Sequence, residues 1–233
     1  MTLIPPHTAR SRIPSGAPSR PAGATFRTGD LDAMAERCPE RTVGAGRCLF
    51  REGTPLECVY VVREGLVGQG RRTHGRRVTF LLLHPGDVVG DEAALLGTPA
   101  RFDTFAVTDA KVLMVPVAQF LDALDLRSPF GRQWAVGLGE RIAALQGRLE
   151  DLLGGDLRTR IASLLQHELE ADSRTVKLTQ QNMADLLGVP RTSVTRVLQG
   201  LQRQGVIELG YRYIAVRDHG ALAKATGRDG ASA

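Results

Sequence analysis

A regular apolar pattern runs through residues 129–153 and constrains this chain more than any other feature. Apolar side chains recur at spacings of 3, 4, 3, 4 and 3 residues, at Ala135, Leu138, Ile142, Leu145, Leu149 and Leu152. This is the heptad spacing of a helix that carries one apolar seam. Because an exposed apolar seam is stabilised when a second helix buries it, we predict a dimerisation helix over residues 128–153. The residues predicted to form the dimer contact are Trp134, which lies beside the seam, and Leu138, Ile142, Leu145, Leu149 and Leu152. The alternative is a helix laid along its own domain.

The chain before this helix has the pattern of a β domain. Between residues 43 and 117, short runs of alternating apolar and polar residues are separated by turn signals, which are Glu64-Gly65, His74-Gly75 and Pro85-Gly86-Asp87. Short strands at even spacing are typical of a sandwich, jelly roll or barrel. The period becomes helical from about residue 118. We therefore predict an α+β chain in which residues 30–127 form an N-terminal β domain.

Positive charge is concentrated at the two ends of the chain, although the formal net charge is only +5. Residues 1–29 contain four Arg and no acidic residue, and they are rich in Pro, Ser and Gly. This composition cannot offset the entropy of ordering and predicts a disordered basic tail. An organellar transit peptide and a start codon placed too early stay open as alternatives. Residues 221–233 are predicted to be a flexible C-terminus.

A second basic region, residues 174–217, contains seven basic and two acidic residues, which favours a polyanionic partner. Upstream of it, Gly154-Gly155-Asp156 breaks the long helix, supplies a hinge and offers Asp156 as the N-cap of the next helix. We place the start of a C-terminal domain, residues 154–220, at this break.

Residues 179–204 have the pattern of a helix-turn-helix. Thr179 is placed to cap the first helix, and Gly188 is placed to end it in a left-handed backbone conformation. The predicted buried face consists of Met183, Leu187, Val189, Val194, Val197, Leu198 and Leu201. Polar side chains then remain exposed near the start of the second helix, at Arg191, Thr192, Thr195 and Arg196.

These exposed side chains are of the types that read DNA. Arg pairs with guanine through two hydrogen bonds, and Thr contacts bases or the thymine methyl group. Residues 190–204 are therefore the predicted recognition helix in the major groove. Predicted phosphate contacts lie close by, at Thr179, Gln180 and Ser193. Two apolar runs, 206–208 and 213–216, predict a β-hairpin wing whose tip, Tyr211 and Arg212, reaches the DNA backbone.

Other classes of protein find no support in the sequence. Cys38, Cys48 and Cys58 form neither a disulfide framework nor a zinc pattern, so we expect reduced thiols, with redox sensing by one of them left open. No nucleophile–base pair, metal spacing or phosphate loop predicts an enzyme or a metal site. No run approaches the roughly 18 apolar residues of a membrane helix. We expect a non-catalytic cytoplasmic protein.

Three stretches, in this order, carry a resemblance to a known family: LFREGTPLECVYVVREGLV, LLLHPGDVVGDEAALLGTPARFDTFAVTDAKVLMVP and LTQQNMADLLGVPRTSVTRVLQGLQRQGVIE. Over about residues 43–217 the chain resembles the cyclic AMP receptor protein and FNR (Crp/Fnr) family of bacterial transcription regulators. The resemblance implies an N-terminal cyclic-nucleotide-binding-like β jelly roll, a long dimerisation helix and a C-terminal winged helix-turn-helix. It also implies a homodimer on double-stranded DNA with a two-fold related site, and RNA polymerase as a partner.

The resemblance also marks a candidate effector pocket. In cyclic AMP-responsive members a Gly-Glu pair holds the ribose and an Arg-Ser pair holds the cyclic phosphate. The matching residues here are Gly90-Asp91 and Arg101-Phe102. Asp91 keeps an acceptor for a ribose hydroxyl, but Phe102 removes a hydroxyl donor and adds bulk. In the recognition helix, Thr192 stands where the cyclic AMP-type pattern has Glu, so the two Arg carry over but the target sequence does not.

The long helix departs from the family pattern as well. Leu145 and Gln146 match the positions that would contact adenine, whereas Arg141 remains available to a phosphate. We therefore predict a regulator that responds to a different ligand or to none, with Asp91 and Arg101 as an internal ion pair in a vestigial pocket. A working cyclic AMP pocket, and a nucleotide-binding module that acts on a partner protein, are the alternatives.

Overall fold

The computed structural model describes residue 26 and residues 28–73, 76–124, 128–169 and 174–226. Residues 1–25 and the predicted turn at His74-Gly75 lie outside the described residues. The elements up to the long helix are α1 (Thr28–Ala35), β1 (Glu40–Val43), β2 (Cys48–Phe50), β3 (Cys58–Glu64), β4 (Val67–Thr73), β5 (Arg76–Leu83), β6 (Val88–Val89), α2 (Asp91–Leu96), β7 (Asp103–Ala106), β8 (Ala110–Pro116), α3 (Val117–Ala123) and α4 (Pro129–Gly154).

The strands of this first part form two antiparallel sheets that share one core. One sheet has the order β1-β8-β3-β6 and the other has the order β2-β7-β4-β5. Residues 58–62 of strand β3 are all apolar because their side chains alternate between two cores. Tyr60 and Val62 lie in the core between the sheets, whereas Val59 and Val61 lie under the helices on the outer face. The predicted N-terminal β domain is confirmed.

The first half of α4 belongs to that outer helical layer. Trp134 is only 8% exposed and lies edge-on to Phe120 of α3, with 6.2 Å between the ring centroids. Leu138 packs partly against the same core. The prediction that Trp134 contacts a partner helix is wrong, because the sheet and α3 of its own protomer cover it. The second half of the seam is uncovered: Ile142, Leu145, Leu149 and Leu152 are 40% to 56% exposed.

Phe26 and helix α1 pack against the β domain, although residues 1–29 were predicted to be a disordered tail. Phe26 is 3% exposed, stacks on Phe130 at 5.0 Å between ring centroids, and donates its backbone N–H to Gly86 O. Helix α1 follows from Thr28, with Leu31 buried. A disordered tail that extends to residue 29 is therefore wrong. Composition averaged over the segment hid the apolar anchor at its end.

The C-terminal domain contains α5 (Leu157–His167), β9 (Thr175–Val176), α6 (Gln180–Leu187), α7 (Arg191–Arg203), β10 (Ile207–Leu209), β11 (Ile214–Val216) and α8 (His219–Ala225). Asp156 caps α5 as predicted, because its Oδ1 accepts the backbone N–H of Thr159 at 2.7 Å. The long helix continues through Gly154, so the break falls at Gly155. In this domain the sheet has the order β10-β11-β9.

Two boundaries of this domain need correction. Residues 221–226, predicted to begin a flexible C-terminus, belong to α8 and its cap, and Leu222 is 1% exposed in the domain core. The domain is also not joined to the β domain by the predicted hinge alone. Helix α6 packs on β5, and Leu82 of β5 belongs to the C-terminal core. Among the described residues, no helix combines the length and hydropathy needed to cross a membrane.

The position of Phe26 can be tested by stability. We expect Phe26→Ala to lower the free energy of unfolding by about 3 kcal/mol, the lower end for a buried aromatic side chain. The exposed Leu96, 61% exposed on α2, provides the control Leu96→Ala, which should be close to neutral. Chemical denaturation of both variants measures the difference. Equal denaturation midpoints for Phe26→Ala and the wild type would mean that Phe26 does not stabilise the folded core.

Candidate nucleic-acid interface and effector pocket

The turn of the helix-turn-helix is built as the sequence predicts. Thr179 Oγ1 accepts the backbone N–H of Asn182 at 3.1 Å, and Asn182 Oδ1 accepts the backbone N–H of Thr179 at 3.1 Å, which forms a capping box. Gly188 ends α6 with φ 66°, and Pro190 precedes α7 without a side-chain cap. The Thr179 hydroxyl, predicted to contact a phosphate, is therefore engaged within the cap.

Helix α7 presents most of the predicted polar face. Val194, Leu198 and Leu201 are fully buried, whereas Arg191, Thr192 and Arg196 are exposed and Ser193 is half-buried. The buried positions follow the helical period, so the opposite face is free to enter a groove.

Thr195 is the exception on α7. It is half-buried, and its Oγ1 lies 2.7 Å from Gln180 Oε1 and 3.0 Å from Arg191 O. The hydroxyl therefore joins α7 to α6 and is not available as the predicted base contact. The same bond holds the Gln180 amide in one orientation, with its nitrogen left to act as a donor.

A groove of about 290 Å³ gathers the remaining predicted contacts between α6, α7 and the wing. Its walls include Thr179, Gln180, Arg191, Tyr211 and Arg212. These residues are far apart in the sequence, but they lie close together in space because the β10–β11 hairpin folds back over the start of α6.

The turn of this hairpin is tight. The Gly210 N–H donates to Tyr213 O at 3.0 Å, and a Cβ on Gly210 would overlap the Tyr213 ring. Arg212 has a positive φ of 64°, and Tyr211 is 88% exposed. The predicted wing tip thus projects beside the recognition helix.

The cations at this surface have no protein counter-charge. Within the described residues, no carboxylate lies within 4 Å of Arg191, Arg196 or Arg212, whereas Arg217 is bonded to Glu208. Unpaired guanidinium groups beside a helix N-terminus favour phosphate or base edges as partners.

Lys177 was missed by the sequence analysis. It is exposed directly after β9, between the buried Val176 and Leu178, and lines a second groove with Arg212 and Tyr213. The alternation of buried and exposed residues over 176–178 was the signal that would have found it.

In the candidate effector pocket, side chains of the protein itself already engage both carboxylate oxygens of Asp91. Arg141 donates Nη1 to Asp91 Oδ1 at 3.2 Å and Nη2 to Asp91 Oδ2, and Trp134 Nε1 donates to Oδ2 at 2.9 Å. Arg141 Nη1 also donates to Val88 O at 2.8 Å. Burial alone would lower the pKa of Arg141, but the Asp91 carboxylate raises it above its ordinary value. The predicted Asp91–Arg101 ion pair is wrong, since Arg141 takes that place.

The other predicted pocket residues do not converge on Asp91. Gly90 precedes α2 with φ 84°, but Arg101 is exposed, and Leu145 and Gln146 lie on the exposed side of α4. The structure therefore brings together only Gly90, Asp91 and Arg141.

Phe102 fills the place expected of a phosphate ligand. Its ring meets Phe80 edge-on with 4.8 Å between centroids, and the Arg71 guanidinium lies 5.4 Å from the ring centroid. Arg71 is itself paired with Glu52 through Nε and Nη2, at 3.0 and 2.8 Å. At this position the chain therefore presents an aromatic ring, packed against Phe80 and Arg71, in place of a hydroxyl group.

The cysteines show no activation. Cys38, Cys48 and Cys58 are free thiols, and burial raises the pKa of each above its ordinary value. A raised pKa disfavours the reactive thiolate at neutral pH, so redox sensing gains no support.

Two family models match the chain, a cyclic nucleotide-binding domain over residues 40–126 and a Crp-like helix-turn-helix domain over residues 159–225. They coincide with the β domain and with the C-terminal domain, including α8. The chain is also similar to the HTH-type transcriptional regulator Cmr of Mycobacterium tuberculosis, with 31% identity over 207 residues that cover 88% of this chain and 84% of the relative.

Similar proteins occur outside that organism. The transcriptional regulator LdrP of Thermus thermophilus is 30% identical over 187 residues, which cover 77% of this chain and 92% of the relative. The solved structure of TTHA1359, a transcriptional regulator of the CRP/FNR family from the same species, matches with a TM-score of 0.67 at 26% identity, over 81% of this chain and 98% of that chain. The chain therefore belongs to the Crp/Fnr family of transcription regulators.

Proposed function

We propose that the chain acts in the cytoplasm as a homodimer that reads a two-fold related DNA site with α7 and regulates transcription without depending on cyclic AMP. Base reading is supported by the groove that brings Arg191, Gln180 and Arg212 together, because no carboxylate of the described residues lies within 4 Å of either Arg. Family membership supports DNA binding as such. RNA polymerase is the further partner proposed, and no catalytic activity is assigned.

The uncovered part of α4 supports the homodimer. Ile142, Leu145, Leu149 and Leu152 follow the heptad spacing and remain about half exposed in one protomer. Pairing this seam with a second copy removes the apolar surface from water. A two-fold dimer would then present two α7 helices to successive major grooves, roughly 34 Å apart.

The Arg141–Asp91 contact supports independence from cyclic AMP. A ribose hydroxyl would have to displace hydrogen bonds to a carboxylate that is 2% exposed. Displacing them costs free energy, and Phe102 offers no new hydrogen bond in return. An effector of another chemistry remains compatible with the proposal provided that it binds one pose of the DNA-binding domain more tightly than another.

Recognition by α7 predicts an effect specific to DNA sequence. Arg191→Ala and Arg196→Ala should each weaken binding to the selected site by about 1–3 kcal/mol and relax base preference at one position. Arg203, exposed in the last turn of the same helix, gives the control Arg203→Ala, which should leave base preference unchanged. Selection from random duplex DNA followed by titration at fixed salt measures both quantities. Equal losses on specific and random duplexes would reduce the two Arg to phosphate contacts.

Dimerisation through the seam predicts a change of assembly. Leu149→Glu places a charge on the buried seam of the dimer and should shift the protein towards the monomer, because a desolvated carboxylate without a partner is costly. Sedimentation velocity measures the shift. Leu96→Glu, at an exposed position on α2, is the matched control. A dimer that survives Leu149→Glu would contradict pairing through this helix.

Because Arg141 and Trp134 already engage the Asp91 carboxylate, we predict that cyclic AMP does not change DNA binding. Site selection with and without the nucleotide should give the same two-fold motif, and calorimetric titration should give no binding heat. A motif that forms only with cyclic AMP would mean that the Arg141–Asp91 contact opens for the nucleotide. No motif in either condition would favour a module that acts on a partner protein.

A further inference from the structure

Three charged side chains from separate segments meet where the C-terminal domain touches the β domain. His84 follows β5, Arg148 lies on α4, and Glu168 caps the end of α5. His84 Nε2 lies 3.0 Å from Glu168 Oε2, and Arg148 Nη2 lies 3.7 Å from Glu168 Oε1. We refer to His84, Arg148 and Glu168 as the domain clamp.

Glu168 depends on the other two residues for its charge. Its side chain is 4% exposed, and a carboxylate removed from water requires partners to remain ionised. Burial would raise the pKa of Glu168, but the hydrogen bond with His84 and the nearby cations hold it below its ordinary value. Two of the groups that keep this carboxylate charged, His84 and Arg148, lie outside its own domain, and His167 of α5 adds to their effect.

Apolar packing surrounds the domain clamp. Leu82, two residues before His84, lies in the C-terminal core, and α6 packs on β5. Arg148 Nη1 also donates to Phe80 O on the same strand at 2.9 Å. The clamp therefore lies within an extended contact between domains.

The docked arrangement keeps the DNA-reading face open. Arg191 and Arg196 are exposed and the groove beside α7 is accessible while α6 rests on β5. Docking therefore restricts the pose of α7 without covering it. A dimer that must fit two helices to one DNA site loses less entropy on binding when each pose is already restricted.

We propose that His84 and Glu168 are positioning residues for DNA recognition: the domain clamp holds the C-terminal domain in the pose that lets both α7 helices of a dimer engage one site. This inference rests on DNA reading by α7. It adds a residue pair, distant from the DNA, whose ionisation tunes affinity for the specific site.

The charges of the domain clamp change with pH. They determine whether DNA affinity rises or falls as the pH increases. His84 faces Glu168 of α5, Arg148 of α4 and Asp87 of the following turn, whose Oδ2 lies 3.9 Å from His84 Nδ1. Burial would lower the pKa of His84, but its bond to Glu168 raises it above the ordinary 6.5.

The clamp is therefore complete between the ordinary pKa values of Glu and His, 4.5 and 6.5, and weakens as pH rises through the raised pKa of His84. Other charged groups act on its members from the same surroundings. Glu140 and Arg141 of α4 act on Asp87, and His167 acts on Glu168. Asp87 itself, which burial raises to a pKa of about 7, ionises in the same range and broadens the transition.

The test measures DNA affinity of the full chain by fluorescence anisotropy, on its selected duplex and on a random duplex, between about pH 6 and about pH 8.5, where histidine titrates. Wild-type affinity for the selected duplex should fall as pH rises, by up to about tenfold for each unit by which the pKa is raised. Glu168→Gln should lower affinity at the acidic end. His84→Gln, which keeps a neutral donor, should bind DNA with no clamp-dependent slope.

The control is His219→Gln, the same chemical change at an exposed position on α8, and it should keep the wild-type profile. Hydrogen exchange in α6 and β5 reports release of the domain without DNA, and both clamp variants should exchange faster there. Failure of the wild type to select any site, with exchange still faster in the variants, would reject DNA reading and leave the clamp. Unchanged pH slope and exchange, or tighter DNA binding by Glu168→Gln, would overturn the positioning role.

Discussion

The buried ion pair between Arg141 and Asp91 is the junction on which the rest of the architecture depends. Two charges that are nearly removed from water are tolerated only when each is paired and hydrogen-bonded. Here Val88 O accepts a further hydrogen bond from Arg141, and Trp134 Nε1 donates one to Asp91. The contact ties α4 to the β domain halfway along its length, and so it decides which face of the remaining helix is left uncovered.

Helix α4 thereby makes two different kinds of contact along its length. Before Arg141, Phe130, Trp134 and Leu138 of α4 pack in the helical layer of their own protomer. After Arg141, the apolar residues from Ile142 to Leu152 keep the heptad spacing but are exposed. The same ion pair occupies the place where the family resemblance puts an effector. At that place the Arg141 guanidinium joins α4 to the β domain.

The candidate DNA interface carries cations that have no carboxylate partner among the described residues. On the β domain, Arg63 pairs with Glu40, Lys111 with Glu64 and Arg71 with Glu52. On the face of α7 and the wing, the described residues supply no such partner to Arg191, Arg196 or Arg212. An uncompensated field attracts a polyanion at long range, and the fixed side chains beside it, such as Gln180, restrict the geometry of the contact.

Local patterns in the sequence determined the order of the domains, the capped turn at Thr179 and Gly188, and the exposed Arg of α7, because caps and helical periods depend on residues a few positions apart. Tertiary structure decided the partner of Asp91, the burial of Trp134, the use of the Thr195 hydroxyl and the ordering of Phe26 and α8. Each of these depends on which side chains, distant in the sequence, the fold brings to a buried polar atom or an apolar surface. Arg101 and Arg141 are equivalent cations in the sequence, and only the packing of α4 on the sheet brings one of them within reach of Asp91 and excludes water around it.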